Sequence, residues 1–105
     1  MKLEVVWSDF AESQLDKIFE YYKENASFRV PKNLVQKIIA EPIKLIDSPH
    51  IGQIEDLLTN RKEVYRYLIC KNYKIIYSLD EKNNLIKIAD IFDTRQNPVK
   101  IERKK

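Results

Sequence analysis

The basic side chains of this sequence stand out chemically, because they concentrate in its second half. Positions 1–60 carry seven Lys/Arg and ten Asp/Glu, whereas positions 61–105 carry twelve and six, giving net charges of −3 and +6. Such a concentration of cations favours binding to a polyanion or to an acidic protein. The alternative is that these residues only keep a small protein soluble. The candidates for binding a target are Arg61, Lys62, Arg66, Lys71, Lys74 and Arg95.

Cofactor and metal chemistry are disfavoured by the residue types that the sequence lacks. Gly52 is the only glycine, whereas a dinucleotide fingerprint or a phosphate-binding P-loop needs several. With one cysteine and one histidine, the chain cannot form an internal disulfide or a zinc site of the Cys/His kind. Cys70 lies in an apolar run that predicts a core position, and His50, next to a proline, is expected at the surface. We therefore expect no cofactor and no metal.

Length and hydropathy set the broad class of the protein. A chain of 105 residues is the size of one domain, so we expect a single domain over residues 1–105. The sequence has no recognisable secretion signal and no apolar run near the roughly 18 residues that a membrane span requires. A cytoplasmic protein without membrane contact is expected.

The first half of the chain predicts one strand and two helices. Residues 2–7 are β-rich and end at Ser8, whose hydroxyl can cap a helix that begins at Asp9. Apolar spacing continues that helix to a break at 25–27 and then predicts a second helix from 30 to 49, kinked at Pro42. The two helices are expected to form an antiparallel hairpin.

The second half predicts a loop over residues 50–60, a three-stranded antiparallel meander and a loosely held basic tail over residues 94–105. Together with the hairpin this is an α+β fold whose sheet packs on the helices. Side-chain alternation is expected to place Arg66 and Lys74 on one partly open face. The tyrosines of the strands are expected to pack in the core or at its rim. The three strands are predicted at residues 63–69, 73–79 and 85–92.

Four segments in this order resemble toxins of the RelE/ParE superfamily of type II toxin-antitoxin modules, over nearly the whole chain. They are VVWSDFAESQLDKIFEYY, LVQKIIAEPIKLIDSPHIGQIEDL, EVYRYLICKNYKIIYSL and IADIFDTRQNP. The resemblance implies a RelE/ParE-like fold and one of two activities, because RelE-like members cleave ribosome-bound mRNA whereas ParE-like members inhibit DNA gyrase.

For a metal-independent endoribonuclease, the resemblance assigns phosphate binding to Arg66, Lys74 and Arg95. A RelE-like nuclease also has a tyrosine or histidine in its C-terminal segment, and residues 94–105 contain neither. The loss of one general acid costs about 10² to 10⁴ in rate. Instead of binding phosphate, Arg95 could have a structural role and form an ion pair with Asp93 or Asp90. The sequence therefore favours the ParE-like branch, with its plasmid stabilisation proteins, over an enzyme.

The resemblance also implies a cognate antitoxin that neutralises the toxin. A basic half suits an acidic partner, and the edge of a small sheet can accept a strand from another chain. Phe10, Tyr21 and Phe28 lie off the main apolar stripes of the helices and are candidates for binding the antitoxin. The sequence is compatible with either a homodimer or a toxin-antitoxin hetero-oligomer.

Three hypotheses follow. The first is a growth-inhibiting toxin that binds an essential protein such as DNA gyrase. The second is a ribosome-dependent mRNA endoribonuclease. The third is an inactive basic module that binds nucleic acid through phosphates, with an affinity that falls as salt rises.

Overall fold

The computed structural model describes residues 2–25, 29–58, 62–96 and 98–102; of residues 25, 29, 30, 98 and 99 it describes only the backbone. The fold contains a five-stranded sheet and two α-helices, and along the chain both helices follow the first strand and precede the other four. Three short 3₁₀ helices, η1–η3, connect or follow these elements. In chain order the elements are β1 (Glu4–Trp7), α1 (Asp9–Asn25), α2 (Arg29–Ala40), η1 (Glu41–Ile46), β2 (Gln53–Ile54), η2 (Asp56–Leu58), β3 (Arg66–Cys70), β4 (Tyr73–Asp80), β5 (Leu85–Asp93) and η3 (Pro98–Glu102).

The start of α1 is fixed by Ser8, as the sequence predicts. The Ser8 hydroxyl accepts a hydrogen bond from the Ala11 backbone N–H at 3.0 Å, and the Ser8 carbonyl accepts one from the Glu12 N–H. The Ser8 hydroxyl also donates to the carbonyl of Ala89 in β5 at 3.2 Å. One residue therefore caps the helix and ties it to the sheet.

The second helix is shorter than predicted. The α-helix ends at Ala40 and the chain continues as η1, so the expectation of one kinked α-helix to residue 49 is wrong. Pro42 explains the change, because its ring has no N–H to donate and clashes with the carbonyl four residues earlier. The apolar stripe nevertheless continues through the change, since Ile38 in α2 and Leu45 in η1 are both completely buried.

The predicted meander is confirmed, and the sheet extends beyond it on both sides. Its strand order is β1-β5-β4-β3-β2, with β1 parallel to β5 and the other neighbours antiparallel. The two-residue β2 lies within residues 50–60, where we expected only a loop. Within that segment Leu58 is buried, whereas Ile54 and Leu57 are exposed.

Strand β5 contains one extra residue relative to β4. Ile76 pairs with Asp90 and Tyr77 pairs with Ile88, so Ala89 has no partner opposite and forms a bulge. Up to the bulge, Ile86 and Ile88 face the helices. After the bulge, odd-numbered instead of even-numbered residues face the helices, so that Ile91 packs there.

Each face of the sheet carries its own core. On the first, which we call the helix face, strand residues pack against α1, α2 and η1. On the second, the turn face, Ile76 and Phe92 pack with Leu58 of η2 and Ile101 of η3. Ile101 is completely buried, so the prediction of a loosely held tail is wrong for this part of residues 94–105. Residues 103–105 lie outside the described part.

Within the described residues, no helix is long and apolar enough to cross a membrane.

Candidate functional site

Arg66 and Lys74 lie on opposite faces of the sheet, so the prediction that they share one open face is wrong. The reason is the two-residue turn between β3 and β4, which pairs Cys70 with Tyr73. Even-numbered residues of β3 therefore share a face with odd-numbered residues of β4. Arg66 pairs with Tyr77 on the helix face, whereas Lys74 pairs with Ile69 on the other.

Lys74 is held in an ion pair on the turn face. Its Nζ lies 2.6 Å from a carboxylate oxygen of Glu55, which is only 4% exposed. The same Nζ lies 4.3 Å from the centre of the Tyr67 ring, a cation–π distance. Because Lys74 is itself 22% exposed and already has a carboxylate partner, an incoming phosphate would have to compete with Glu55.

Arg66 is bound to the loop before β2. Its guanidinium donates to the Gly52 carbonyl at 3.0 Å and to the His50 carbonyl at 3.4 Å. Neither acceptor carries a full charge, so the positive charge of Arg66 is not neutralised by these contacts. Arg66 and the exposed Lys62 line an open cleft of about 430 Å³ that also contains the carboxylates of Glu63 and Glu81. His50 is exposed, as the sequence predicts.

Arg95 forms a two-pronged ion pair with Asp93, which confirms one of its two predicted carboxylate partners. Nε and Nη2 of Arg95 donate to the two carboxylate oxygens at 3.0 and 2.8 Å, and the Arg95 backbone N–H donates to one of them. Hydrogen bonding to Arg95 is the main cause that lowers the pKa of Asp93, and Asp93 in turn raises the pKa of Arg95. Arg95 nevertheless remains 59% exposed.

Two tyrosines lie beside Arg95, which sequence alternation did not predict. Tyr73 pairs with Asp93 across the sheet, and its hydroxyl lies 3.5 Å from that of Tyr22 in α1. Burial is the main cause that raises the pKa of Tyr73, which makes it a poor proton donor or acceptor near neutral pH. Its position in the core matches the packing role expected for the strand tyrosines. The cleft at this end has a volume of about 340 Å³ and includes Lys17, Tyr21, Tyr73, Asp93 and Arg95.

The remaining predicted positions are spread over the molecule. Lys71 is exposed in the β3–β4 turn, where its φ of 57° lies in the left-handed region. In α1, Tyr21 is 55% exposed and stacks edge-on against Tyr22, whereas Phe10 is half-buried. Arg61 and Phe28 lie outside the described residues.

The three cations predicted to bind phosphate lie in separate parts of the structure. Arg66 lies at the loop before β2, Lys74 is paired on the turn face, and Arg95 is paired at the far end of β5. Cleavage of a phosphodiester needs several cations around one phosphate, and these three do not provide that. Across the described ranges, no three His, Cys, Asp or Glu side chains lie close enough together to hold a metal ion. The geometry instead presents charged and aromatic surfaces of the kind that bind a macromolecule.

A sequence profile described as the ParE toxin of the type II toxin-antitoxin system parDE matches residues 5–98. The chain therefore belongs to the ParE toxin family of type II toxin-antitoxin systems. Among solved structures, it is similar to a chain of the chromosomal ParDE toxin-antitoxin system from P. aeruginosa, with a TM-score of 0.71 and 17% sequence identity. That match covers 87% of this chain and 95% of the other, which confirms the RelE/ParE-like fold. No curated protein matches the sequence.

Proposed function

We propose that this chain is the toxin of a type II toxin-antitoxin module and that it inhibits growth by binding an essential protein. The observation that carries the choice of binding over RNA cleavage is the separation of Arg66, Lys74 and Arg95. Two of the three are already paired with carboxylates, and Lys74 lies on the opposite face from Arg66. A toxin that acts by docking on its target needs no convergent phosphate site.

DNA gyrase is the target that we propose. This rests on membership of the ParE family and on the resemblance of the FDTRQNP segment to ParE-like toxins. The cations at the Arg95 end and around Lys62 and Arg66 give two surfaces that a large protein can contact. Arg95 stays a candidate for target binding because its guanidinium is more than half exposed even in its ion pair.

A cognate antitoxin is the second partner that we propose. The similar P. aeruginosa structure is described as a ParDE toxin-antitoxin system. In the present chain the +6 charge of residues 61–105 suits an acidic partner. The exposed ring of Tyr21, with the half-buried Phe10 on the same helix, supports the helical hairpin as one contact surface.

Induced expression, with and without the product of the adjacent reading frame, tests the toxin and its neutralisation. We expect growth arrest when the chain is expressed alone and recovery when that neighbour is co-expressed. Unimpaired growth in the first condition would exclude the toxin role.

Two assays on the purified chain then separate the mechanisms. Binding to gyrase predicts loss of DNA supercoiling and accumulation of broken DNA, with ribosome-bound mRNA left intact. Cleavage of that mRNA, lost in Arg95→Ala and Lys74→Ala but not in the matched surface variant Lys82→Ala, would favour the endoribonuclease instead. Salt-dependent binding to nucleic acid without growth arrest would favour the inactive basic module.

A further inference from the structure

The arginine that follows β5 is held in one orientation by its neighbours. Nε and Nη2 of Arg95 donate to the two carboxylate oxygens of Asp93, and the Arg95 backbone N–H donates to one of them. The side-chain amide of Asn72 donates to that same oxygen at 3.2 Å. Tyr22 also contacts Arg95 and contributes to raising its pKa. The guanidinium is thus fixed by contacts that involve β5, the β3–β4 turn and α1.

The β3–β4 turn brings Asn72 to this carboxylate. Lys71 adopts a φ of 57°, in the left-handed region that residues other than glycine seldom occupy. The Asn72 carbonyl then accepts hydrogen bonds of 2.8 Å from both the backbone N–H and the hydroxyl of Thr94. The turn is therefore bound to the residue that lies between Asp93 and Arg95.

The side of the guanidinium that faces away from Asp93 is presented to solvent. Arg95 is 59% exposed despite its ion pair. A guanidinium has five N–H donors in one plane, and the bonds to Asp93 come from Nε and Nη2 alone. The N–H groups on the other side form a fork that matches the two oxygens of a second carboxylate.

The surroundings of Arg95 favour an acidic side chain as the occupant. Arg95 lines the cleft of about 340 Å³ together with the exposed Lys17 of α1 and the rings of Tyr21 and Tyr73. Asp93 is the one carboxylate among the described residues that line this cleft, so two cations against one anion leave a net charge of +1. A nucleic acid is disfavoured, because it needs cations along successive phosphates.

We propose that the outward side of the Arg95 guanidinium binds a carboxylate of the target protein, and that Asp93 and Asn72 are positioning residues that hold this fork towards it. Lys17 would approach the same carboxylate from α1. Asp93 thus assists the binding of an anion although it is an anion itself. The inference rests on the proposed function, since it concerns how the toxin binds its target.

The test compares growth arrest and binding to purified gyrase for variants of the full chain. Arg95→Lys keeps the positive charge but loses the planar fork, and Asp93→Asn removes the anion that holds it. We expect each to weaken gyrase binding at least about tenfold, a change of roughly 1.4 kcal/mol, and to raise the expression level that arrests growth. Asn72→Ala should cause a smaller loss in the same direction.

Asp80→Asn is the matched control for Asp93→Asn and should behave like the wild type. It makes the same change of charge at a carboxylate that also accepts an asparagine side-chain bond, from Asn83. Asp80 lies at the opposite end of the β4–β5 hairpin from Asp93.

The sign of the Asp93→Asn effect separates positioning from charge alone. If charge alone acted, removal of a carboxylate beside the cations would strengthen binding to an acidic partner. Unchanged or tighter binding by Asp93→Asn, or wild-type behaviour of Arg95→Lys, therefore overturns the proposal. In the free chain, the NMR signal of the Arg95 Nε–H should move towards that of free arginine in Asp93→Asn. An unmoved signal would mean that Asp93 does not hold the fork, which overturns the proposal as well.

Growth measurements distinguish failure of this inference from failure of the proposed function. Variants that arrest growth as the wild type does overturn the inference and leave the toxin role intact. A wild-type chain that arrests growth without binding gyrase overturns gyrase as the target, and growth arrest by the variants then decides the inference. A wild-type chain that does not arrest growth excludes the toxin role and this inference with it.

Other occupants of the cleft give distinct results. Variants that arrest growth normally but are no longer neutralised by the product of the adjacent reading frame would assign the cleft to the antitoxin. Binding of the wild type to a short nucleic-acid duplex, lost in Arg95→Lys, would assign it to nucleic acid. Either result overturns the proposal. Thermal unfolding of each variant identifies loss of fold, and Arg95→Lys, at an exposed position, remains informative should Asp93→Asn fail to fold.

Discussion

The two faces of the sheet are covered in different ways. The helix face packs against the long apolar stripes of α1 and α2, whereas the turn face is covered by η2 and η3, which have three and five residues. The larger core includes the rings of Tyr73 and Tyr77, whereas the smaller one lies beside the Lys74–Glu55 ion pair and the contact between Lys87 and Glu63. The face that carries Lys74 is thus the face on which neighbouring segments supply carboxylates to the lysines.

A small sheet without a second layer of helices can therefore cover its other side with short turn segments. Among the described residues, the turn face buries five apolar side chains completely or nearly so, and its lysines have carboxylate partners. An unpaired cation next to such a core would lose part of its hydration, so each lysine there benefits from a carboxylate partner. Cations that remain available for partners accordingly lie at the rims and turns.

The largest expected effect compares one deletion in each core. Ile38→Ala on the helix face should lower the free energy of unfolding by about 2 to 5 kcal/mol, because it leaves a cavity among α2 and the strands. Ile101→Ala removes an equally buried side chain, but η3 can detach locally, so its cost should fall below that range. Urea unfolding measures both. An equal or larger loss for Ile101→Ala would mean that the two cores unfold as one unit.

The next effect tests the ion pair that distinguishes the turn face. Lys74→Met should cost about 2 to 3 kcal/mol, since it leaves the buried carboxylate of Glu55 without its cation while Lys74 itself is partly solvated. The double variant Lys74→Met/Glu55→Gln should recover part of that loss. Lys82→Met, at an exposed turn, should change stability by less than about 0.5 kcal/mol. A Lys74→Met protein as stable as this control would remove the contrast between the two faces.

A third, smaller effect concerns the loop that closes the helix face before β2. The Tyr77 hydroxyl donates to the Pro49 carbonyl at 2.8 Å and accepts from the Gly52 N–H at 3.1 Å. A Cβ at Gly52 would overlap this hydroxyl and lie 2.9 Å from the Tyr67 carbonyl oxygen. Gly52→Ala should therefore cost about 1 to 3 kcal/mol.

Thermal unfolding of the single and double variants checks the origin of that cost. Tyr77→Phe in the Gly52→Ala background removes the overlapping hydroxyl, so the two substitutions should cost less together than the sum of their separate effects. Strict additivity would place the strain at the Tyr77 ring carbon Cε1 and the Tyr67 carbonyl oxygen instead, since both remain in the double variant.

The smallest effect is on the pH dependence of stability, with one carboxylate on each face. Hydrogen bonds from Arg95 and from Lys87 are the main causes that lower the pKa values of Asp93 and Glu63, respectively. The stabilisation is present above the unfolded values of about 3.9 and 4.3 and is lost as the pH falls through the lower folded values. Asp93→Asn and Glu63→Gln should each flatten the loss of stability below about pH 4. Urea midpoints at pH 7 and pH 3 that fall equally in both variants and the wild type would contradict this.

Local signals in the sequence were sufficient for much of the fold. Ser8 caps α1 through its own hydroxyl, and the three meander strands are short alternating runs joined by short turns. The parallel pairing of β1 with β5 could not be predicted in this way, because its partners are about 80 residues apart. The two-residue β2 is too short to show any alternation.

The candidate site could be predicted less well, because it depends on register. Whether Arg66 and Lys74 share a face of the sheet depends on the register that the β3–β4 turn sets between the two strands. Alternation within either strand does not determine it. The partner of Lys74 is Glu55, 19 residues away in a segment that we expected to be irregular. By contrast, the pairing of Arg95 with Asp93 was predictable, since only one residue separates them.

The single unmatched residue of β5, Ala89, decides which side of the sheet carries the Asp93–Arg95 pair. A regular ladder in which Ala89 paired with Ile76 would exchange the orientation of every side chain from Asp90 to Asp93, turning the carboxylate and the adjoining arginine to the face of Lys74 and away from α1. Closing the bulge by a one-residue slip of β5 against β4, with no change of sequence, would thus bring Arg95 to the same face as Lys74. The hydrogen bond from the Ser8 hydroxyl to the Ala89 carbonyl opposes that change, because it holds the bulge against the start of α1.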